Sequence, residues 1–267
     1  MKRYFSFFKM RLVAGLQYRA AALAGMSTQM VWGTMEILLY RAFWLEQPER
    51  FPMGMQALAS YIWLQQAFLS CFNMWTWERD LIDAVRSGAV AYELTRPTDL
   101  YGMWMARSIA LRLSRAALRC WPILLLGSLL PAPYGLCLPE NIGTFLLFLI
   151  SLVLMLLVTC AYTMLIYALT FYLTDPNGIM NLSIAAADLL GGAIVPLPFL
   201  PKGLRIVAAL SPFGSMQNVP LRIYGGSIAA DQIPYAIGLQ LLWVIVLTSL
   251  GRHLMNRGLR RTVIAGG

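Results

Sequence analysis

Two carboxylates lie inside otherwise apolar stretches of the sequence, Glu36 in residues 20–44 and Asp188 in residues 178–199. A charge at the centre of a bilayer costs on the order of 3 kcal/mol, and such residues often mark an ion or substrate pathway. Gln29 precedes Glu36 by seven residues and shares its helical face. Stripes of small and polar residues also pack membrane helices together. A translocation pathway and helix packing therefore both stay open for these three side chains.

Four arginines enter a third apolar stretch, residues 103–130, from its N-terminal end, and the first of them is Arg107. Arg112, Arg115 and Arg119 are spaced i, i+3 and i+7, which places them on one helical face. Such a stripe would line an inner vestibule, with Arg112 and Arg115 on the translocation pathway. The alternative is a helix that extends out of the membrane, with arginines that reach back to the lipid headgroups.

The longest charged interval between apolar stretches runs from Glu78 to Gly102. Its inner charged residues include Asp80, Asp83, Arg86, Glu93 and Arg96. Gly88 predicts the end of a short helix, Pro97 disfavours helix at the residue before it, and Asp99 can cap the next helix. We interpret the interval as a short helix on which a soluble partner docks. The alternative is an ordinary charged loop.

The sequence offers few residues for enzymatic chemistry. The single histidine is His253, and the four cysteines (Cys71, Cys120, Cys137 and Cys160) have no metal-ligand spacing, which favours buried free thiols. No glycine-rich phosphate-binding motif occurs. We therefore predict no catalytic residue, metal site or cofactor in this chain. Energy for uphill transport would come from a partner chain or an ion gradient.

Composition defines the class of protein. With 59% hydrophobic and 12% charged residues, the chain differs from soluble domains, in which about 25% are charged. The apolar stretches have the length that a membrane-spanning helix needs. We predict an all-α polytopic membrane protein, a single domain over residues 1–267 with six spans. The predicted spans are 20–44, 55–77, 103–130, 141–173, 178–199 and 233–250, followed by a tail at 251–267.

Two further segments are predicted to be helical without spanning the membrane. Residues 1–19 interleave basic and aromatic side chains, which is typical of a helix lying in the membrane interface. Between Pro196 and Tyr235, prolines separate short apolar pieces. Broken helices at membrane depth must be buried in protein or line water. A re-entrant or surface-lying helical hairpin therefore fits this stretch better than a plain loop.

The distribution of Lys and Arg predicts the orientation. Sixteen lie in the N-terminal segment, in the interval 79–119 or in the C-terminal tail, and five lie on the other predicted side. Cytoplasmic loops carry this excess. Both termini and the Glu78–Gly102 interval are therefore expected in the cytoplasm. The same rule accounts for the net charge of +9, so nucleic acid is not an expected partner.

Two local patterns resemble the permease subunits of type 2 ABC exporters. One is AVRSG at 84–88 followed by ELTRP at 93–97, and the other is GGAIVPLP at 191–198 followed by LSPF at 210–213. The order of the segments is similar as well. A basic first helix, six spans, a charged segment after the second span and a proline-broken stretch before the last are typical of that family.

The resemblance implies an architecture and a mechanism. The segment after the second span would carry a coupling helix that sits in a cleft of a separate ATP-binding subunit. Gly88, Arg96 and Pro97 match the motif, and Asp80, Asp83, Arg86 and Glu93 would add polar contacts. The short outer helices would close the pathway externally. Their prolines are Pro196, Pro198, Pro201 and Pro212.

We therefore expect the membrane subunit of an ATP-driven exporter in a bacterial inner membrane. It would work with a second permease copy or a paralogue and with two ATPase subunits that bind ATP and Mg²⁺. Its cargo would be a hydrophobic or amphipathic small molecule, because Met-rich and aromatic spans offer adaptable apolar contacts. An ion-coupled carrier using Glu36 and Asp188 is the alternative. A membrane-embedded enzyme is disfavoured by the single histidine.

Overall fold

The computed structural model describes residues 2–17, 19–95 and 98–260, which form α-helices, short 3₁₀ helices and loops without a β-strand. The α-helices are α1 (Lys2–Gly15), α2 (Arg19–Glu46), α3 (Met55–Phe72), α4 (Arg79–Arg86), α5 (Val90–Leu94), α6 (Leu100–Leu129), α7 (Ile142–Leu169), α8 (Asn177–Leu190), α9 (Lys202–Leu210), α10 (Pro212–Met216), α11 (Asn218–Tyr224) and α12 (Ile233–Leu259). The 3₁₀ helices are Pro48–Arg50, Leu197–Phe199 and Ala230–Gln232. The predicted all-α class is confirmed for the described residues.

Among the described residues, two helices are long and apolar enough to cross a membrane, Ile142–Leu169 and Ala230–Leu259. They pack along each other, with Gln240 of α12 accepting a hydrogen bond from Ser151 of α7 at 2.8 Å. The other predicted spans correspond to helices that fall short of these length and hydropathy criteria. The arrangement with six spans therefore stays a proposal.

Two predicted spans differ most from the helices that form, and the second span also ends early, at Phe72 instead of residue 77. The stretch 178–199 is not one helix, because α8 ends at Leu190 and Gly192 adopts the left-handed conformation at φ 89°. The last helix continues to Leu259, beyond the predicted limit of 250. Met255 and Gly258 are buried along this extension, and Gly258 lies against Phe171. Tertiary packing therefore extends α12 into a stretch whose arginines predicted a tail.

The N-terminal helix is confirmed over Lys2–Gly15, and it packs along the first half of α6. The Tyr4 hydroxyl accepts a hydrogen bond from the backbone N–H of Asp99 at 2.9 Å. At the other end of α1, a Cβ on Gly15 would lie 2.2 Å from the Oγ of Ser114, so only glycine allows this approach. The placement of α1 in a membrane interface stays a prediction.

One end of the bundle, which we call the charged end, gathers segments that are distant in sequence. The Tyr167 hydroxyl, near the end of α7, accepts from the backbone N–H of Glu78 at 2.8 Å. Arg252 of α12 lies 3.5 Å from the Asp99 carboxylate that caps α6. The first helix, the charged segment and the end of the last helix therefore lie together. Which side of the membrane they occupy stays a prediction.

The proline-broken stretch forms a helical hairpin that enters the bundle from the opposite end. At that end, the Phe199 ring packs against Tyr40 and Phe51, with centroid distances of 5.2 Å in both pairs. At the other end of α9, the Leu210 carbonyl accepts a hydrogen bond from the Trp243 indole at 3.1 Å. Trp243 lies about 15 Å from the start of α12 along the helix axis. The chain then returns through α10 and α11. The predicted hairpin is confirmed, whereas its depth in a membrane is a proposal.

Cys71, Cys120 and Cys160 are buried free thiols, as predicted. Cys137 is only partly buried, and its backbone N–H donates to the Ser60 Oγ at 2.8 Å. The cysteines therefore serve packing in this fold.

Candidate functional site

The charged segment folds into two short helices anchored by their apolar sides. Leu81, Ile82 and Val85 of α4 are buried in a cluster that includes side chains from α6, α7, α8 and α12. The opposite face of α4 exposes Asp83 and Arg86 to solvent. The helix is amphipathic because the polar residues alternate with these apolar ones at helical spacing. It presents a polar surface on a rigidly held element.

Gly88 forms the corner between α4 and α5, with φ at 74°. The predicted break is confirmed, and its cause is the left-handed conformation that glycine adopts without steric cost. Asp99 caps α6 as predicted, accepting from the backbone N–H of Gly102 at 2.9 Å. Arg96 and Pro97, the other two predicted motif residues, lie outside the described residues.

The change Gly88→Ala tests this corner. A Cβ there would meet nothing within 4 Å, so the expected destabilisation of about 1 kcal/mol comes from backbone conformation alone. Gly203→Ala is the matched control, because that glycine also has open space but lies inside helix α9. Thermal unfolding in detergent should show a lower midpoint for the first change and an equal or higher midpoint for the second. Equal midpoints for Gly88→Ala and the native chain would contradict the prediction.

The acidic residues of the segment divide into inward and outward groups. Glu78 and Asp80 both pair with Arg107 of α6. Glu93 accepts from the Trp104 indole at 2.6 Å. Burial raises the pKa of the Glu78 carboxyl, although the charge of Arg107 acts in the opposite direction. Glu78 and Glu93 thus hold the segment on α6. Asp80 also contacts α6 but is exposed, and the exposed Asp83 can contact a partner.

The arginine stripe of α6 does not act as one surface. Arg112 is 1% exposed and donates to the backbone carbonyls of Ser70 and Asn73, at 3.4 and 2.7 Å, and to the hydroxyl of Thr163 at 3.2 Å. It caps the C-terminal end of α3, where carbonyls lack partners within the helix. Arg115 and Arg119 instead line a cavity of about 610 Å³. A helix that extends into water would not bury Arg112 in this way.

Glu36 and Gln29 lie on the side of α2 that faces α3. Between them, a Cβ on Gly33 would lie 3.0 Å from the Gln66 side chain of α3, so the two helices approach closely. The Glu36 carboxyl is hydrogen-bonded to Gln66. Its Oε1 and the Oε1 of Gln29 are buried without a partner. The stripe contributes to helix packing, and its two unpartnered oxygens are consistent with a pathway as well.

Asp188 has different neighbours from Glu36. Its Oδ1 accepts from the Trp75 indole, beyond the end of α3, at 3.4 Å. The adjacent cavity has a volume of about 10 Å³, which is room for about one water molecule. Glu36 contacts α3 at Gln66, nine residues earlier than Trp75. The structure therefore does not bring the two carboxylates together.

The predicted gate prolines begin the short helices of the hairpin. Pro196 and Pro201 are N-terminal caps of Leu197–Phe199 and α9, and Pro198 and Pro212 occupy first turns. These are the positions at which a missing N–H costs nothing. The prolines thus explain where each helix starts. Their role as a gate stays a prediction.

A buried polar cluster that the sequence did not predict holds the hairpin in place, and we call it the glutamine clasp. It consists of Tyr61 and Gln65 of α3, Gly192 and Gln217. The Gln217 amide nitrogen shares its two hydrogens among the Tyr61 hydroxyl at 3.0 Å, the Gln65 Oε1 at 2.9 Å and the Gly192 carbonyl at 3.0 Å. The sequence contains one signal for this cluster, because Gln65 is one of two adjacent glutamines in an apolar stretch.

Comparison with known families decides the class of the protein. A model of the family described as ABC-2 family transporter protein matches residues 26–266, nearly the whole chain. The chain belongs to the ABC-2 transporter family. No curated protein matches it.

Family membership makes this ABC-2 chain a membrane permease of an ABC transporter. Such permeases typically are not enzymes, and a partner subunit hydrolyses ATP. The matched region contains the charged segment, the hairpin and the glutamine clasp. It begins after α1, so the first helix of this ABC-2 chain lies outside the matched region.

Proposed function

We propose that this chain is the membrane-spanning subunit of an ATP-driven exporter, and that an ATPase subunit docks on the exposed face of α4. The supporting observation is the two-sided character of α4. Asp83 and Arg86 are exposed, while Leu81, Ile82 and Val85 are buried. A partner can therefore bind the polar face without disturbing the apolar anchor.

The packing of α4 supports a mechanical connection to the long helices. Its apolar face lies in the same cluster as Trp104 of α6, Tyr167 of α7 and Met255 of α12. Packed interiors have low compressibility and transmit displacement. The ion pairs of Arg107 with Glu78 and Asp80 add a polar connection between the segment and α6. Movement of a docked partner would thus reach three long helices at once.

We further propose an orientation, a subunit composition, an external gate and a cargo for this permease. The charged end faces the cytoplasm of a bacterial cell, six helices cross the inner membrane, and two permease chains work with two ATPase subunits. ATP and Mg²⁺ bind in those subunits. Arg96 and Pro97 adjoin the docking face, and the hairpin with Pro196, Pro198, Pro201 and Pro212 closes the external end. The cargo is an amphipathic small molecule that adapts to apolar and Met-rich walls.

The change Asp83→Lys tests the docking face. Charge reversal on an exposed face should weaken the contact with a partner and reduce transport per ATP hydrolysed by about tenfold, without unfolding the permease. The measurement is ATPase activity and cargo export in proteoliposomes that contain the chain and its ATPase partner. Glu49→Lys is the matched control, because Glu49 is an exposed carboxylate in the Pro48–Arg50 turn at the opposite end.

Unchanged coupling in Asp83→Lys, with normal expression, would contradict the docking assignment. Export that continues without the ATPase partner would contradict ATP-driven transport as a whole. The second candidate function is an ion-coupled carrier, favoured by the unpartnered buried Oε1 of Glu36. An ion-coupled carrier would export cargo when a proton gradient is the only energy source, and the change Glu36→Gln would abolish that export. Under our proposal, a proton gradient alone drives no export in the native chain or in the Glu36→Gln variant.

A further inference from the structure

A basic cavity lies between three helices near the charged end. It has a volume of about 610 Å³ and is enclosed by α1, the first turn of α2, the middle of α6 and Glu78. Four arginines reach it, namely Arg11, Arg107, Arg115 and Arg119. Its size is in the range of sites that bind small molecules.

Only one of the four arginines is neutralised by carboxylates. Arg107 pairs with Glu78 and Asp80. Arg11, Arg115 and Arg119 take part in no ion pair of the described chain. The buried Nε atoms of Arg11 and Arg119 have no hydrogen-bond partner, and Arg115 donates to the Thr76 hydroxyl at 3.1 Å. The cavity therefore concentrates positive charge and unused N–H donors.

The remaining wall of the cavity is apolar. Ala14 of α1, Ala22 of α2 and Leu111 and Leu118 of α6 line it beside the guanidinium groups. An occupant that satisfies both walls carries an anionic group and a hydrocarbon portion. Guanidinium groups bind phosphate oxygens through paired N–H donors. Basic pockets between membrane helices on the cytoplasmic side are suited to anionic lipid headgroups.

We propose that this cavity binds a phosphate group, and that the group belongs to the headgroup of an anionic phospholipid. The phosphate oxygens accept from Arg115 and Arg119, with Arg11 closing the site from α1. The acyl chains lie along Leu111 and Leu118. The bound lipid neutralises the arginine cluster and holds α1 against α6. This site is independent of ATP coupling, because it involves neither the exposed face of α4 nor a partner subunit.

The test uses the purified full-length chain in a neutral detergent. Phosphatidylglycerol, phosphatidylcholine and inorganic phosphate are titrated separately. The thermal unfolding midpoint is measured in each titration, and bound lipid is measured by native mass spectrometry. We expect phosphatidylglycerol to raise the midpoint and to remain bound. The double change Arg115→Gln with Arg119→Gln should weaken that binding by at least about tenfold. Arg257→Gln is the matched control, because Arg257 is exposed in α12 and outside the cavity.

The lipid-free midpoint separates binding from folding. Removing unpaired arginine charge should leave it unchanged or raise it, since like charges repel at short distance. A structural role for Arg119 would show as a lower lipid-free midpoint in Arg119→Gln, restored in Arg119→Lys, with lipid retention equal to that of the native chain. That combination would overturn the proposal. Equal retention of both lipids, or equal retention by the double variant, would also overturn it. Protection by inorganic phosphate alone, lost in the double variant, would overturn the lipid source.

Discussion

Replacing Arg112 by methionine is expected to lower the free energy of unfolding by about 3 kcal/mol. The side chain is 1% exposed, and its guanidinium donates to the carbonyls of Ser70 and Asn73 and to the Thr163 hydroxyl. Methionine fills much of the volume but donates nothing. Each buried acceptor left without a partner costs about 1–3 kcal/mol. The carbonyl end of α3 would also lose a favourable positive charge.

The control for Arg112→Met is Arg86→Met, which makes the same chemical change at an exposed position of α4. We expect the control to alter stability by less than about 0.5 kcal/mol. Unfolding followed by tryptophan fluorescence in detergent measures both. If the two variants unfold at the same midpoint, the capping role of Arg112 is wrong. Such a result would favour the inner-vestibule role that the spacing of Arg112 predicted.

Replacing Gln217 by leucine is expected to cost about 2–3 kcal/mol and to loosen the helical hairpin. The Gln217 amide donates to Tyr61, Gln65 and the Gly192 carbonyl, and leucine leaves these acceptors with fewer donors in a buried site. The loss is local because this glutamine clasp joins the hairpin to α3. Hydrogen exchange should therefore rise in residues 191–217 before the rest of the chain is affected.

Gln56→Leu is the control for the clasp, because Gln56 is an exposed glutamine of α3. A double-mutant cycle with Gln65→Leu isolates the pair and should give a coupling energy of about 1 kcal/mol. Uniform exchange across the chain, or a coupling near zero, would show that the clasp does not hold the hairpin. The clasp bears on function, since the hairpin is the element that we propose closes the external end.

The charged segment was largely predictable from sequence, because its signals are local. Gly88 adopts the left-handed conformation at which α4 ends, and Asp99 caps α6. The apolar and polar faces of α4 follow from spacing within eight residues. Backbone conformation at glycine and capping by a side-chain oxygen depend on neighbouring residues alone. Helical structure and its breaks were therefore accessible before any fold was known.

The outcomes for ionisable side chains were less predictable, since each depends on distant partners. Arg112 and Arg115 are three residues apart, yet Arg112 caps α3 and Arg115 lines the basic cavity. Glu93, which was predicted to contact a partner subunit, accepts a hydrogen bond from the Trp104 indole within the chain, and its contact with a partner stays a prediction. Residue spacing gives the helical face of a side chain, but the neighbour on that face comes from another part of the chain.

The sequence by itself determined that this is an all-α protein with long apolar helices, a charged segment broken at Gly88 and a hairpin broken by prolines. Composition, hydropathic length and local backbone preferences are properties of consecutive residues. Only the tertiary structure decided how far α12 continues and that Tyr61, Gln65 and Gln217 meet. It also decided that three unpaired arginines share one cavity. These features arise from packing between helices that are distant in sequence, where burial and charge depend on the partner.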